Sequence, residues 1–329
     1  MLKNNINFRY IVFSKAFFFI HIISQMSRIG HKYELIRQLG KGQFGAVCEA
    51  HCIRTHKQYA AKLEHQTVAF STLKHEATIL HHLNANKCTN IPYIYYYGQS
   101  SPYTTLVITF YEGSLENLRE NMTLGEKIQW WNQMLKAFNT IHRAGIVHRD
   151  IKPPHFMKHP TKQEWHLIDF GLATSYIGPD QNHIEDVIKE SIVGSPNYVS
   201  YFVHLGKDCV RRDDFISLIY VFWELLYGKL LNITFEDYSL YLKIHMATHE
   251  IPENERIAYM ESFELTRIDH PYNDWLWQQK DWKRLYRWLD LCTEDKMKDF
   301  LYSVLMHAER LHFADKPNYE SFEILIEDE

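Results

Sequence analysis

The stretch from His148 to Gly171 constrains this chain more tightly than any other. It opens with His148-Arg149-Asp150-Ile151-Lys152-Pro153-Pro154-His155 and closes with Leu167-Ile168-Asp169-Phe170-Gly171. Two short apolar segments, Gly145-Ile146-Val147 and Leu167-Ile168, lead toward the two aspartates, as when buried strands deliver side chains to a cleft. Phosphoryl transfer uses such a pair: one carboxylate orients a hydroxyl nucleophile, the other holds a divalent ion on the phosphates. Lys152, two residues after Asp150, can bring a cation to the transferring group. Either tripeptide alone is weak, because an Asp in a surface turn gives the same letters. Both in this order, with a strand-like spacer between, point to the catalytic core of a phosphoryl-transfer enzyme.

The residues before this stretch supply what such a core needs. Tyr33 to Leu39 has the pattern of a strand, and Gly40-Lys41-Gly42-Gln43-Phe44-Gly45 follows it. Glycines let a backbone approach phosphates and present N–H groups to them. The same spacing marks dinucleotide folds, where a helix begins at once. Here Val47 to Cys52 suits a returning strand, which favours a flap over a nucleotide. Tyr59-Ala60-Ala61-Lys62-Leu63-Glu64 is a strand with a lysine among apolar neighbours, and a buried ammonium needs a partner. Glu76 is the expected one, on a helix with apolar residues at 73, 77, 80 and 83; a solvated Glu on an ordinary amphipathic helix is the alternative. Ile91–Tyr97 and Thr104–Phe110 complete a small sheet, with Ile108 toward the nucleotide and Thr109 to Tyr111 offering backbone groups to adenine. From Leu115 onward the chain is mostly helical. Leu124 to Ala144 forms a long buried helix, and an apolar helix follows Arg211-Arg212-Asp213-Asp214. Asp214, an acid at the start of that helix, is placed to cap it and to anchor the catalytic loop.

The first 30 residues are an extension. Tyr10 to Ile23 is apolar and aromatic, but it is interrupted by Lys15 and His21 and falls short of the roughly 20 residues a transmembrane helix needs. Ile22-Ile23-Ser24-Gln25 makes a poor signal-cleavage site. A dispensable segment with Met26 as an alternative start is expected, and a weak membrane anchor is the alternative. With 46% hydrophobic and 23% charged residues over 329 positions, the chain suits one large or two small globular domains. A net charge of −4 gives no reason to expect nucleic acid as a partner. Cys48, Cys52, Cys88, Cys209 and Cys292 contain no C-x-x-C pair, so reduced thiols in a cytoplasmic or nuclear compartment are expected. The twenty histidines are scattered and are read as structural or solvated.

Over residues 31 to about 326 the sequence resembles protein kinases, and specifically the casein kinase I family. The general features are Gly40-x-Gly42-x-x-Gly45-x-Val47, Ala60-Ala61-Lys62, Glu76, His148-Arg149-Asp150 and Asp169-Phe170-Gly171. The narrower ones are Lys62-Leu63-Glu64, Gly113-Ser114-Leu115-Glu116, His204-Leu205-Gly206, Arg211-Arg212-Asp213-Asp214 and Phe313-x-Asp315-Lys316-Pro317-x-Tyr319. Like that family, the chain has Ser200-Tyr201-Phe202 where other kinases carry Ala-Pro-Glu.

The resemblance implies an α+β, two-lobed fold: a mainly antiparallel sheet with one helix over residues 31–111, and a helical lobe over 112–326. It implies transfer of the ATP γ-phosphate to Ser or Thr of protein substrates by a monomer, with Mg²⁺ and without nucleic acid or stable membrane insertion. ATP contacts would come from Leu39, Gly40, Gly42, Gly45, Val47, Ala60, Lys62, Glu76, Ile108, Phe110 and Tyr111. Lys62 would hold the α- and β-phosphates, Asp150 would position the hydroxyl, Lys152 would stabilise the transferred group and Asp169 would bind the metal. Two positions depart from the pattern. His155 stands where kinases carry a metal-binding Asn; imidazole suits Mg²⁺ badly and Mn²⁺ better. Asn197 stands where the family has a basic residue that reads phosphate on primed substrates, leaving Arg211 or Arg212 as substitutes. Two classes therefore compete, an active kinase and a pseudokinase that binds nucleotide or partners without turnover. A dinucleotide-binding enzyme is the remaining option.

Overall fold

A computed structural model describes residues 28–41, 45–67, 71–189, 191–228, 273, 275–276 and 295–325. The expectations for the extension through residue 27, for Gly42 and for nearly all of the Trp- and Tyr-rich stretch 229–294 lie outside the described residues. The chain divides into two compact units. The first holds residues up to Lys87, then Ile91–Glu112 and Lys158–Gly171; the second holds Cys88–Asn90, Gly113–Met157 and Leu172 onward. Lys158–Gly171, expected from sequence order with the helical lobe, groups with the first unit. It does so because Glu112 N–H donates to the Lys158 carbonyl (3.1 Å), while His166 Nδ1 meets the Tyr111 hydroxyl (3.0 Å) and the Ile91 carbonyl (3.2 Å).

The first unit is built on a six-stranded antiparallel sheet in the order β1-β2-β3-β4-β6-β5. The strands are β1 (Arg28–Ile29), β2 (Tyr33–Lys41), β3 (Gly45–Cys52), β4 (Gln58–His65), β5 (Ile94–Ser100) and β6 (Tyr103–Thr109). β1 begins before the expected boundary at residue 31, and Ile29 is buried in the core. Alternation along the strands decides which side chains meet. Ala46, Cys48, Ala50, Ala61, Leu63 and Val107 pack into one core with Tyr33, Leu35 and Tyr103. The register pairs Val47 with Lys62 and Lys62 with Leu106, and pairs Ala60 with Ile108, so these residues share the opposite face. A one-residue slip would exchange the two sets and bury Lys62 in the apolar core, so the register is strongly specified. Helix α1 (Thr72–Ala85) starts at Ser71, whose hydroxyl accepts from Lys74 N–H, and buries Leu73, Glu76, Ala77, Leu80 and Leu83 along one stripe.

The second unit is helical. In α2 (Leu124–Arg143), Thr123 and Glu126 cap one another reciprocally, and Trp130, Trp131, Met134, Leu135, Phe138 and Ile141 are fully buried. Helix α3 (Arg211–Tyr227) is buried on every side from Arg212 to Leu225, and Trp131 stacks on its Phe222 at 4.6 Å. Asp213 caps this helix by accepting from Val210 N–H at 3.0 Å, a role the sequence reading gave to Asp214. Helix α4 (Asp295–Arg310) follows, and the chain then crosses α2. There Trp131 Nε1 donates to the Phe322 carbonyl (2.8 Å), and Asn132 makes two hydrogen bonds to the backbone of Ile324 (2.7 and 2.9 Å). Among the described residues, no helix is long and apolar enough to cross a membrane.

Candidate active site

In the first unit the sheet face described above carries most of the residues expected to touch a nucleotide. Lys62 Nζ lies 2.7 and 2.9 Å from the two Glu76 oxygens and 3.3 Å from Asp169 Oδ1, so its three N–H donors meet three carboxylate oxygens. Burial works against the ammonium, but Glu76 and Asp169 outweigh it and hold the Lys62 pKa above the ordinary lysine value. Burial also pushes the Glu76 carboxyl up, against the pull of Lys62; at 2.7 Å from a lysine that stays charged, the pair is ionic at neutral pH. Glu76 further accepts from the Phe170 N–H. Asp169 adopts a left-handed backbone (φ 67°), which Asp tolerates better than most residues, and its side chain is 45% exposed. That half-exposed carboxylate beside a lysine suits a metal on phosphates, whereas a purely structural triad gains nothing from leaving one member open to water.

Beside this triad is a cavity of about 160 Å³, lined by Gly45, Val47, Lys62, Glu64, Glu76 and Asp169 among others. Gly45 has a packing reason of its own, because a Cβ there would sit 1.8 Å from the Leu63 carbonyl oxygen. Ala60 and Ile108 face each other across paired strands. Leu39 falls at an irregularity between the Gln38 and Gly40 pairings and is 40% exposed, and Gly40 pairs with Val47. The Thr109 N–H is taken by the Tyr93 carbonyl (3.2 Å), which narrows the expected adenine contacts to Phe110, Tyr111 and the Thr109 carbonyl. The Tyr111 side chain is buried on His166.

The second unit holds the loop that begins at His148 and carries Asp150 and Lys152. Strand Ile146–Val147 pairs with Thr174–Ser175 and leads into His148. Asp214 accepts from the backbone N–H groups of His148 (2.6 Å) and Arg149 (2.9 Å), so the anchoring expected of it from sequence is present. Arg149 needs that hold, since it too is left-handed (φ 67°), an unfavourable conformation for a long side chain. Gly194, at φ 108°, packs so closely on the loop that a Cβ would fall 2.2 Å from the Arg149 carbonyl oxygen. Behind Asp214, His142 Nε2 is 3.0 Å from its carboxylate, and the Tyr319 hydroxyl bonds to His142 Nδ1. An Nε2–H donor and an Nδ1 acceptor make a neutral ring, and burial holds the His142 pKa below the ordinary imidazole value.

Ser195 is a member that sequence reasoning did not assign. Its hydroxyl donates to Asp150 Oδ1 at 2.6 Å and accepts from Lys152 Nζ at 3.0 Å, while Lys152 also pairs with Asp150 Oδ2 at 2.9 Å. Burial pushes the Asp150 carboxyl up, but His155, Ser195 and Lys152 together hold it below the ordinary Asp value. His155 is buried, and its Nδ1 donates to the Asp150 carbonyl oxygen at 2.8 Å, 3.6 Å from Asp150 Oδ2. That hydrogen bond keeps a proton on Nδ1. Asn197 is exposed. Neither arginine offered as its substitute is arranged to read a phosphate. Arg211 packs over Tyr176 and bonds the Ala314 carbonyl, and buried Arg212 lies 3.4 Å from the Phe202 ring centroid and bonds the Leu311 carbonyl.

Comparison with known proteins agrees with this geometry. The sequence profile of the protein kinase domain matches residues 33–313. Casein kinase I homolog 1 of Saccharomyces cerevisiae is 33% identical over 211 residues, which cover 61% of this chain and 39% of that relative. The chain thus spans about two fifths of the curated relative it matches.

Proposed function

The chain belongs to the protein kinase family, and we propose that it is a working serine/threonine kinase of the casein kinase I type. The observation that carries this reading is Asp150, ionised and held at both oxygens by Ser195 and Lys152 on a loop fixed by Asp214. A pseudokinase has no use for a depressed, oriented carboxylate at this position. Asp150 orients the substrate hydroxyl and takes its proton as the oxygen attacks the γ-phosphorus of ATP, whose bond to the bridging oxygen breaks to release ADP. Lys152, shared between Asp150 and Ser195, places positive charge at the transferring group. Lys62, kept charged by Glu76, holds the α- and β-phosphates, and Asp169 is the oxygen ligand for a divalent ion. When bound, Mg²⁺ or Mn²⁺ neutralises charge on the phosphates.

The protein substrates bear Ser or Thr. Exposed Asn197 and the engaged Arg211 and Arg212 favour substrates that carry no priming phosphate. A cytoplasmic or nuclear compartment suits the free thiols of Cys48, Cys52, Cys88 and Cys209.

The second reading, a pseudokinase, is favoured by one observation: the ring nitrogen of His155 beside the Asp150 carbonyl, where kinases carry Asn. Transfer of label from γ-labelled ATP to casein, in Mg²⁺ and then Mn²⁺, separates the two. The kinase reading expects incorporation that vanishes in Asp150→Asn. Incorporation no higher than in that variant, with nucleotide still bound, would favour the pseudokinase.

A further inference from the structure

We propose that Glu64 is a positioning residue for the Lys62–Glu76 pair, a latch that fixes the first turn of α1 to the strand carrying Lys62. Glu64 is 4% exposed, and a buried carboxylate without donors is costly. Among the described residues its donors come from Ser71 and the first turn of α1. Ser71 Oγ donates to Oε2 at 2.5 Å; Thr72 Oγ1, Thr72 N–H and Leu73 N–H donate to Oε1 at 3.0, 3.1 and 3.3 Å. The positive end of the helix adds to the attraction.

The spacing makes the latch more than a cap. Lys62 and Glu64 are two residues apart on β4, about 6.6 Å on one face of a strand. Thr72 and Glu76 are four residues apart on α1, about 6 Å along a helix. The matched steps let Lys62 meet Glu76 while Glu64 meets Thr72. A single bridge between helix and strand is a pivot, about which α1 can swing and carry Glu76 away. Two bridges at matched spacing fix both distance and angle. Glu76 then stays on Lys62, and Lys62 stays where it holds phosphate.

The proposal rests on Lys62 being the phosphate contact. The alternative is that Glu64 merely caps α1 and stabilises the fold. The two differ in what they do to ligands with and without phosphate. In the full chain, Glu64→Gln keeps one acceptor oxygen for the helix and loses the charge. Binding of Mg·ADP and of adenosine is measured by calorimetry in both proteins. The latch expects Mg·ADP affinity to fall about tenfold, or ~1.4 kcal/mol, while adenosine changes by less than about twofold. A double variant, Ser71→Ala with Thr72→Val, removes the hydroxyl donors but leaves the backbone ones. It should show a smaller loss, about threefold, again confined to the diphosphate, and it decides the matter if Glu64→Gln does not fold. Equal losses for both ligands, or none for either, would overturn the latch. A wild-type protein that gains nothing from the diphosphate over adenosine would overturn the phosphate role of Lys62 itself, and the latch with it.

Discussion

The two groups of reactive side chains are held by opposite means. Lys62, Glu76 and Asp169 are held by one another: three charges on a strand, a helix and a turn, joined by side-chain contacts. Asp150 and Lys152 sit on a loop whose backbone is held from behind, by Asp214 on the N–H groups of His148 and Arg149 and by Gly194 against the Arg149 carbonyl. In the first case the contacts that hold the group are those a bound nucleotide would share. In the second, the hold and the chemistry are separate, with the fold carrying the loop. Loss of a holding residue should therefore silence the first group while leaving the fold, and undo the fold along with the second.

The sharpest way to break this contrast is Asp214→Ala. It leaves the buried His148 N–H, the part-buried Arg149 N–H and His142 without their acceptor, and should cost about 3 kcal/mol or more of stability. Activity should vanish with it. Urea unfolding is the measurement, and a variant as stable as wild type would mean that the loop does not depend on Asp214. Lys62→Ala is the counterpart. It should reduce phosphorylation by about a hundredfold or more. Its stability loss should stay near ~1 kcal/mol, because Asp169 is half-exposed and Glu76, already pushed up by burial, can take a proton. A Lys62→Ala protein that unfolds as readily as Asp214→Ala would erase the distinction between the two groups.

A smaller effect sharpens the description of the loop support. His142 is buried neutral, and its pKa lies below the ordinary imidazole value of 6.5. The unfolded chain therefore takes up a proton before the folded one does. The contribution of His142 is fully present above about 6.5 and is lost as pH falls from there toward its lower folded value. Asp150 and Asp214 have depressed values and titrate at lower pH, so they do not mask this window. The slope of unfolding free energy against pH, measured between about pH 7.5 and 5.5, should be shallower in His142→Gln than in wild type. An unchanged slope would show that other groups, such as Glu309, pushed up to about 7 by burial, set the acid sensitivity.

What was legible in the sequence follows the same division. The Lys62–Glu76 pair could be read because strand alternation and a helical spacing each place one residue, and burial demands that they meet. The anchoring by Asp214 could be read because an acid at the start of an apolar helix needs donors. Ser195 could not, because a serine in a polar, glycine-flanked segment looks like any turn until the loop folds back on Asp150. The His142–Tyr319 contact joins positions 177 residues apart, beyond any local pattern. Glu64 lies in a recognisable motif, but its four donors come from a helix start across an intervening segment. Lys158–Gly171 groups with the first unit through the Glu112–Lys158 and Tyr111–His166 contacts, which sequence order does not show.

The central claim, a working kinase despite His155, is tested most directly by casein phosphorylation rates of wild type, Asp150→Asn and His155→Asn across Mg²⁺ and Mn²⁺. His155 offers ring nitrogen where kinases carry an amide oxygen, and nitrogen suits Mg²⁺ badly. Wild type should turn over, faster in Mn²⁺ than in Mg²⁺, and Asp150→Asn should be silent. His155→Asn should gain roughly tenfold in Mg²⁺, about 1.4 kcal/mol of barrier, and lose most of the Mn²⁺ advantage. A wild-type rate equal to that of Asp150→Asn in both metals would contradict the claim.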